Sequence, residues 1–141
     1  MATYKEIKGV TVQSKDSDPN LAGAAGGTWA SGGDLNTARE NLKSVGTQTL
    51  ALAFAGSPGT TYSALTEEYN GSSWTEVGDL NTARQAFYEA GVYNSALAAG
   101  GEVGGNTANT ESWNGTAWTE VNNLNTARRN GGGAGLVIQT H

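Results

Sequence analysis

The chain has 141 residues, of which 15% are charged and 21 are glycine; this is too much glycine for a helical protein and fits short strands joined by tight turns. Its formal net charge of −5 argues against a nucleic-acid binder, which needs basic patches. The absence of cysteine excludes disulfides, a thiolate metal site and a cysteine nucleophile.

Residues 1–26 read as an N-terminal strand and linker segment, with a candidate strand at 5–13. Met1-Ala-Thr-Tyr-Lys lacks an apolar run, so no secretory signal is expected. Asp16-Ser17-Asp18 hints at a calcium loop, but no ligand series of the EF-hand kind follows, and a solvated linker explains it. Residues 27–33 read as a strand carrying Trp29, followed by Leu-Asn-Thr-Ala-Arg at 35–39.

That pentapeptide returns at 80–84 and 124–128, each copy following a tryptophan (Trp29, Trp74, Trp118), and the tryptophans are spaced by 45 and then 44 residues. Residues 72–84 and 116–128 agree at nine of thirteen positions, and a glycine follows each arginine by seven residues, at Gly46, Gly91 and Gly135. Four strands are expected in each unit: 40–45 or 87–93, 49–55 or 96–100, 65–69 or 110–113, and 73–77 or 117–121. The first hairpins turn at Gly46-Thr47-Gln48 and Tyr93-Asn94-Ser95, and the last ones at Asn70-Gly71 and Asn114-Gly115, where both residues tolerate positive φ. Leu50-Ala51-Leu52-Ala53-Phe54 is nearly all apolar, as a strand covered on both faces should be, and far too short to span a bilayer. A period in the mid-forties is that of a β-propeller blade, a unit that buries its apolar faces only by stacking on neighbours.

The order of an arginine, a later double glycine (Gly100-Gly101), and an aromatic followed by a tryptophan (Tyr69 and Trp74, Trp113 and Trp118) resembles the kelch repeat over residues 27–138. The first unit departs from it with Ala55-Gly56, and the second with Trp113 in place of tyrosine. The resemblance implies an all-β, kelch-like β-propeller of four-stranded blades. Asn-Gly-Ser/Thr-x-Trp-Thr-Glu and the opening Ala-Thr-Tyr-Lys-Glu-Ile-Lys-Gly are also similar to kelch-like virion and tail proteins of marine bacteriophages.

The units fall at about 40–84 and 85–128, with a third split between 129–141, whose strand is Gly135-Leu136-Val137-Ile138, and 5–39. A ring of the usual six to eight blades cannot close from the three of one chain. Two copies make a six-bladed ring in which the ends of one chain complete the blade begun by the other, and this homodimer is the expected assembly. An uncovered edge at 136–138 would otherwise invite aggregation.

The pentapeptides and the loops 57–64 and 102–109 are expected around one rim. Asn36, Arg39, Asn81, Arg84, Asn125 and Arg128, with Tyr62 and Tyr88, form a candidate ligand rim for carboxylates, for sulfated or sialylated glycans, or for acidic peptides. The structural alternative is that the arginines brace the loops through carbonyls and Glu76 or Glu120. Trp29, Trp74, Trp118, Gly46, Gly91, Gly135, Gly100 and Gly101 are assigned to packing between blades. Asn70-Gly71-Ser72 and Asn114-Gly115-Thr116 match a glycosylation sequon, but their turn role accounts for them. Residues 100–105 imitate a phosphate loop without its lysine or helix.

The single histidine is His141, which removes histidine-based triads and most metal sites. Every acidic candidate is duplicated by the repeats, whereas catalysis needs one unique constellation. No enzyme activity, cofactor, metal or membrane insertion is expected. The reading is a phage virion or tail-associated structural and attachment module, made in the host cytoplasm, that binds host surface glycans or other virion proteins. The alternative is a kelch-type scaffold for an acidic protein partner.

Overall fold

The structure is a computed structural model that describes residues 30–133, so Trp29, Gly135 and the candidate strands at 5–13 and 135–138 lie outside the described residues. The described residues fall almost wholly in one compact unit. Among the described residues there are eight strands: β1 (Lys43–Gly46), β2 (Ala51–Phe54), β3 (Thr66–Tyr69), β4 (Trp74–Glu76), β5 (Tyr88–Val92), β6 (Ser95–Ala99), β7 (Thr110–Trp113) and β8 (Trp118–Val121). They form two antiparallel four-stranded sheets in simple sequential order, β1-β2-β3-β4 and β5-β6-β7-β8. The all-β class and the two complete units expected from the repeats are therefore present. Among the described residues no helix is long and apolar enough to cross a membrane.

The turns differ in detail from expectation. Tyr69 pairs with Trp74 and Trp113 with Trp118, so the last hairpin of each sheet has a four-residue loop. Only the glycines take positive φ there, +94° at Gly71 and +93° at Gly115. The asparagines act through their side chains instead. Asn70 Oδ1 accepts the Ser72 and Ser73 amides, each at 3.0 Å, and Asn114 Oδ1 accepts those of Thr116 and Ala117 at 2.9 and 3.0 Å. In the first hairpins, Gly46 still pairs with Ala51 and Val92 with Ser95, which leaves 47–50 and 93–94 as the loops.

The two sheets share one core. Period-two alternation sends Leu52, Phe54 and Thr66 to the face of the first sheet that meets the second, and Ala96, Ala98, Trp113 and Trp118 to the opposing face. The Phe54 ring lies 4.9 Å from Trp118 and 5.5 Å from Phe87, and Trp113 lies 5.5 Å from Trp118. The Trp118 indole N–H donates to Thr66 Oγ1 at 3.0 Å across the contact. The first strands of the two sheets, β1 and β5, lie side by side. Trp118→Phe should cost about 2 kcal/mol, because the fully buried Thr66 hydroxyl loses its partner as well as ring contacts. Equilibrium urea unfolding measures this, and adding Thr66→Val should make the Trp118→Phe step cheaper.

β6 departs from the expectation of a strand covered on both sides. Leu52 is 0% exposed, but Leu97, its equivalent one repeat later, is 36% exposed. Val77 packs against the core, whereas its equivalent Val121 is 41% exposed. The reason is positional: the first sheet has the second against this face, and the second sheet has no described neighbour there.

Candidate functional site

The three pentapeptides act as connectors, and two of them are carboxylate clamps. In connector 2 (residues 80–84) the backbone holds the first sheet: the Leu80 amide donates to Ala64 O at 3.0 Å, the Arg84 amide to Ser63 O at 3.1 Å, and the Gly56 amide to Arg84 O at 2.9 Å. Its side chains reach the second sheet. Glu111 Oε2 accepts the Asn81 amide at 2.7 Å and Asn81 Nδ2 at 2.9 Å, while Oε1 accepts the Thr82 amide at 3.2 Å and Arg84 Nη2 at 2.7 Å. Arg84 Nη1 also donates to Asn109 O at 2.6 Å and Gly100 O at 3.0 Å. The side chains of this ion pair are 0% and 1% exposed. Burial pulls the Arg84 guanidinium below its ordinary pKa, while the charge and hydrogen bond of Glu111 act in the opposite direction. Connector 2 is thus a staple between the sheets.

Connector 1 (35–39) repeats the clamp on the first sheet. Glu67 Oε2 accepts the Asn36 amide at 2.7 Å, and Glu67 Oε1 accepts Arg39 Nη1 at 2.6 Å, with both side chains buried. The expected bracing partners Glu76 and Glu120 are therefore replaced by Glu67 and Glu111. Glu67 sits directly across the ladder from Glu76, and Glu111 from Glu120, so the partner is one strand further in than expected. Arg39 and Arg84 present no exposed guanidinium to a ligand.

Connector 3 (124–128) has the same backbone and a different environment. The Leu124 amide donates to Ala108 O at 3.0 Å, the Arg128 amide to Thr107 O at 3.2 Å, and the Gly101 amide to Arg128 O at 2.8 Å. Arg128 Nε donates to Thr126 O at 3.4 Å, matching the Arg84 Nε bond to Thr82 O at 3.3 Å. Asn125 and Arg128 are exposed. Asn36 and Asn81 are exposed as well, but of the three connector arginines only Arg128 is exposed to solvent with no described carboxylate in place. Tyr62 and Tyr88 are half-buried, and neither phenol enters a described hydrogen bond.

Trp118 packs between the sheets. Trp74 stacks on Tyr69 at 5.0 Å and donates to Gly33 O at 3.0 Å. The Gly100-Gly101 pair takes φ of +65° and +107°, and Ala55-Gly56 adopts the same left-handed pair at +56° and +102°. A Cβ on Gly101 would lie 2.8 Å from both Gln85 O and Phe87 Cβ, so close backbone approach fixes this glycine.

A cleft of about 350 Å³, lined by Asn41, Leu42, Lys43, Ala86, Asn130 and Gly131, opens where the connectors lead into β1 and β5. Asn41, Ala86 and Asn130 each stand two residues beyond a connector arginine and all take positive φ, at 52°, 53° and 61°. Lys43 Nζ lies 3.3 Å from Glu89 Oε2 and donates to Gly131 O at 3.2 Å, which places its ammonium at the cleft. Sequence reasoning placed the rim on the arginines and passed over these residues. Their constant offset is the available signal, and it is hidden because the residue type changes from Asn to Ala to Asn.

No protein-family model and no curated protein sequence matches the chain.

Proposed function

We propose that this chain is a non-enzymatic structural and attachment module of a phage virion or tail, in which each four-stranded sheet is a blade of a kelch-like propeller. A six-bladed ring closes from two copies, and the cleft beside β1 and β5 meets host surface glycans. The observation that carries this reading is the staple: connector 2 holds one sheet by its backbone and the next by Asn81 and Arg84, the same joint begins again at connector 3, and such a joint builds a stack that continues. The similarity of the repeats and of residues 2–9 to phage kelch-like proteins supports the virion setting.

For glycans, the cleft offers amide donors and acceptors from Asn41 and Asn130 and the ammonium of Lys43, which it shares with Glu89. These groups suit hydroxyls and carboxylates of acidic sugars. A glycan array probed with the protein should give binding to such sugars. Asn41→Gly with Asn130→Gly, which keeps the left-handed backbone and removes both amides, should abolish it. An array that stays blank with the intact protein sinks the attachment role.

A further inference from the structure

We propose that the outer face of the second sheet, formed by Leu97 and Val121 beside Asn125 and Arg128, receives residues 1–29 of a second copy of this chain, and that Arg128 takes a carboxylate from that segment. This rests on the reading that two copies close one ring.

The argument begins from internal equivalence. Leu52 and Val77 on the first sheet lie against the second sheet, and their equivalents Leu97 and Val121 on the second sheet are 36% and 41% exposed. Two of the four large apolar side chains exposed among the described residues therefore sit on the face whose counterpart is an interface. Such a face is unfavourable to leave in water and matches the core of a contact. Beside it, connector 3 holds the backbone bonds of connector 2 to within about 0.1 Å. In connectors 1 and 2 these same residue types hold a carboxylate through the asparagine amide at 2.7 Å and the guanidinium at 2.6 and 2.7 Å. Connector 3 is a preformed receptor for a third carboxylate, with the rigid fork of arginine in place to bind it.

The occupant follows from chain length and connectivity. The sheet from Lys43 to Glu76 spans 34 residues. The chain has 29 residues before the described region and eight after it, together 37, so the two stretches suffice for one more sheet of this kind. Residues before connector 1 lead into the first sheet, whereas the open face lies beyond the second, so in a ring closed by two copies it is the second copy that brings them to this face. The glutamate at the equivalent place on the first sheet, Glu67, is already held by Arg39 and cannot serve. Residues 1–29 carry Glu6, Asp16 and Asp18.

The test is the dimer dissociation constant of the full chain, from light scattering and sedimentation across concentration. Leu97→Asp and Arg128→Ala alter exposed side chains and should leave thermal unfolding of the monomer unchanged. Each should raise the dissociation constant, by roughly 10- to 100-fold for the charge-assisted contact of Arg128. Gln48→Asp, in the exposed 47–50 loop, should leave it unchanged. Joint replacement of Glu6, Asp16 and Asp18 by their amides should reproduce the Arg128→Ala effect and add nothing to it. A dimer indifferent to Leu97→Asp and Arg128→Ala overturns the proposed face and leaves the two-copy ring standing. Loss with Leu97→Asp alone overturns the carboxylate contact. A monomeric wild-type chain overturns both the face and the ring.

Discussion

Arg84→Ala is expected to lower the unfolding free energy by about 3–5 kcal/mol, the cost of breaking a buried ion pair from one side. The substitution strips Glu111, 1% exposed, of its only guanidinium and leaves a charge that water cannot reach. Asn109 O and Gly100 O lose donors at the same time, at 2.6 and 3.0 Å. Since connector 2 spans both sheets, the damage falls on the joint between them as well as on one loop. The midpoint of urea unfolding measures the loss. The pair Arg84→Met with Glu111→Leu separates the burial of charge from the rest of the site. With both charges gone, the cost should fall well below the sum of the single substitutions, since the uncompensated ion is what makes each single change severe. It should not fall to zero, because the Asn81 and Thr82 amides still lose their acceptor. Additive costs would mean that Arg84 and Glu111 act independently, contrary to their 2.7 Å contact.

The repeats made the strand order legible because the two units each state it: an arginine, a glycine seven residues on, a small apolar strand, and an aromatic before the tryptophan. What stayed hidden depends on groups that meet across the ladder or across the sheets. Glu67 reads as one of two adjacent acids in a short strand, and nothing local says that it points inward to meet Arg39. The repeated glutamate at Glu111 was the available sign, since a charge kept at the same place in a core-facing strand needs a buried partner. Asn70 and Asn114 look like positive-φ turn residues, yet they cap the loop amides with their side chains, and the sequence pattern is the same for both uses. Leu97 shows a different limit. Its identity equals that of Leu52, but its burial is decided by whether another sheet lies beyond, which a repeat cannot express about itself. The arginines illustrate the same point, with one pentapeptide buried at Arg39 and Arg84 and exposed at Arg128.

Gly91→Ala should be nearly as damaging as loss of Arg84, by about 3–5 kcal/mol when backbone strain and steric overlap combine. Gly91 lies inside β5, paired with Ala96, at a φ of +116° that side chains rarely adopt. An added Cβ would stand 2.1 Å from Ser95 O and 2.8 Å from Ala96 Cα, so the obstacle is backbone on the partner strand, which cannot rotate away. Relief requires the hairpin to open, and β5 is the strand that lies beside β1, so the opening would reach the joint between the sheets. Gly46 repeats the arrangement at φ +125° with Leu50 O at 2.3 Å, and Gly46→Ala should behave alike. Gly104 separates the two causes. Its φ is +100°, but nothing lies within 4 Å of its Cβ position, so Gly104→Ala carries strain alone and should cost about 1–2 kcal/mol. Thermal and urea unfolding of the three variants give the comparison. If Gly91→Ala and Gly104→Ala cost the same, the hairpin yields without loss and close strand approach is not what demands glycine seven residues after the arginine. A clear excess at Gly91 and Gly46 makes that spacing a steric requirement of the first hairpin of each sheet.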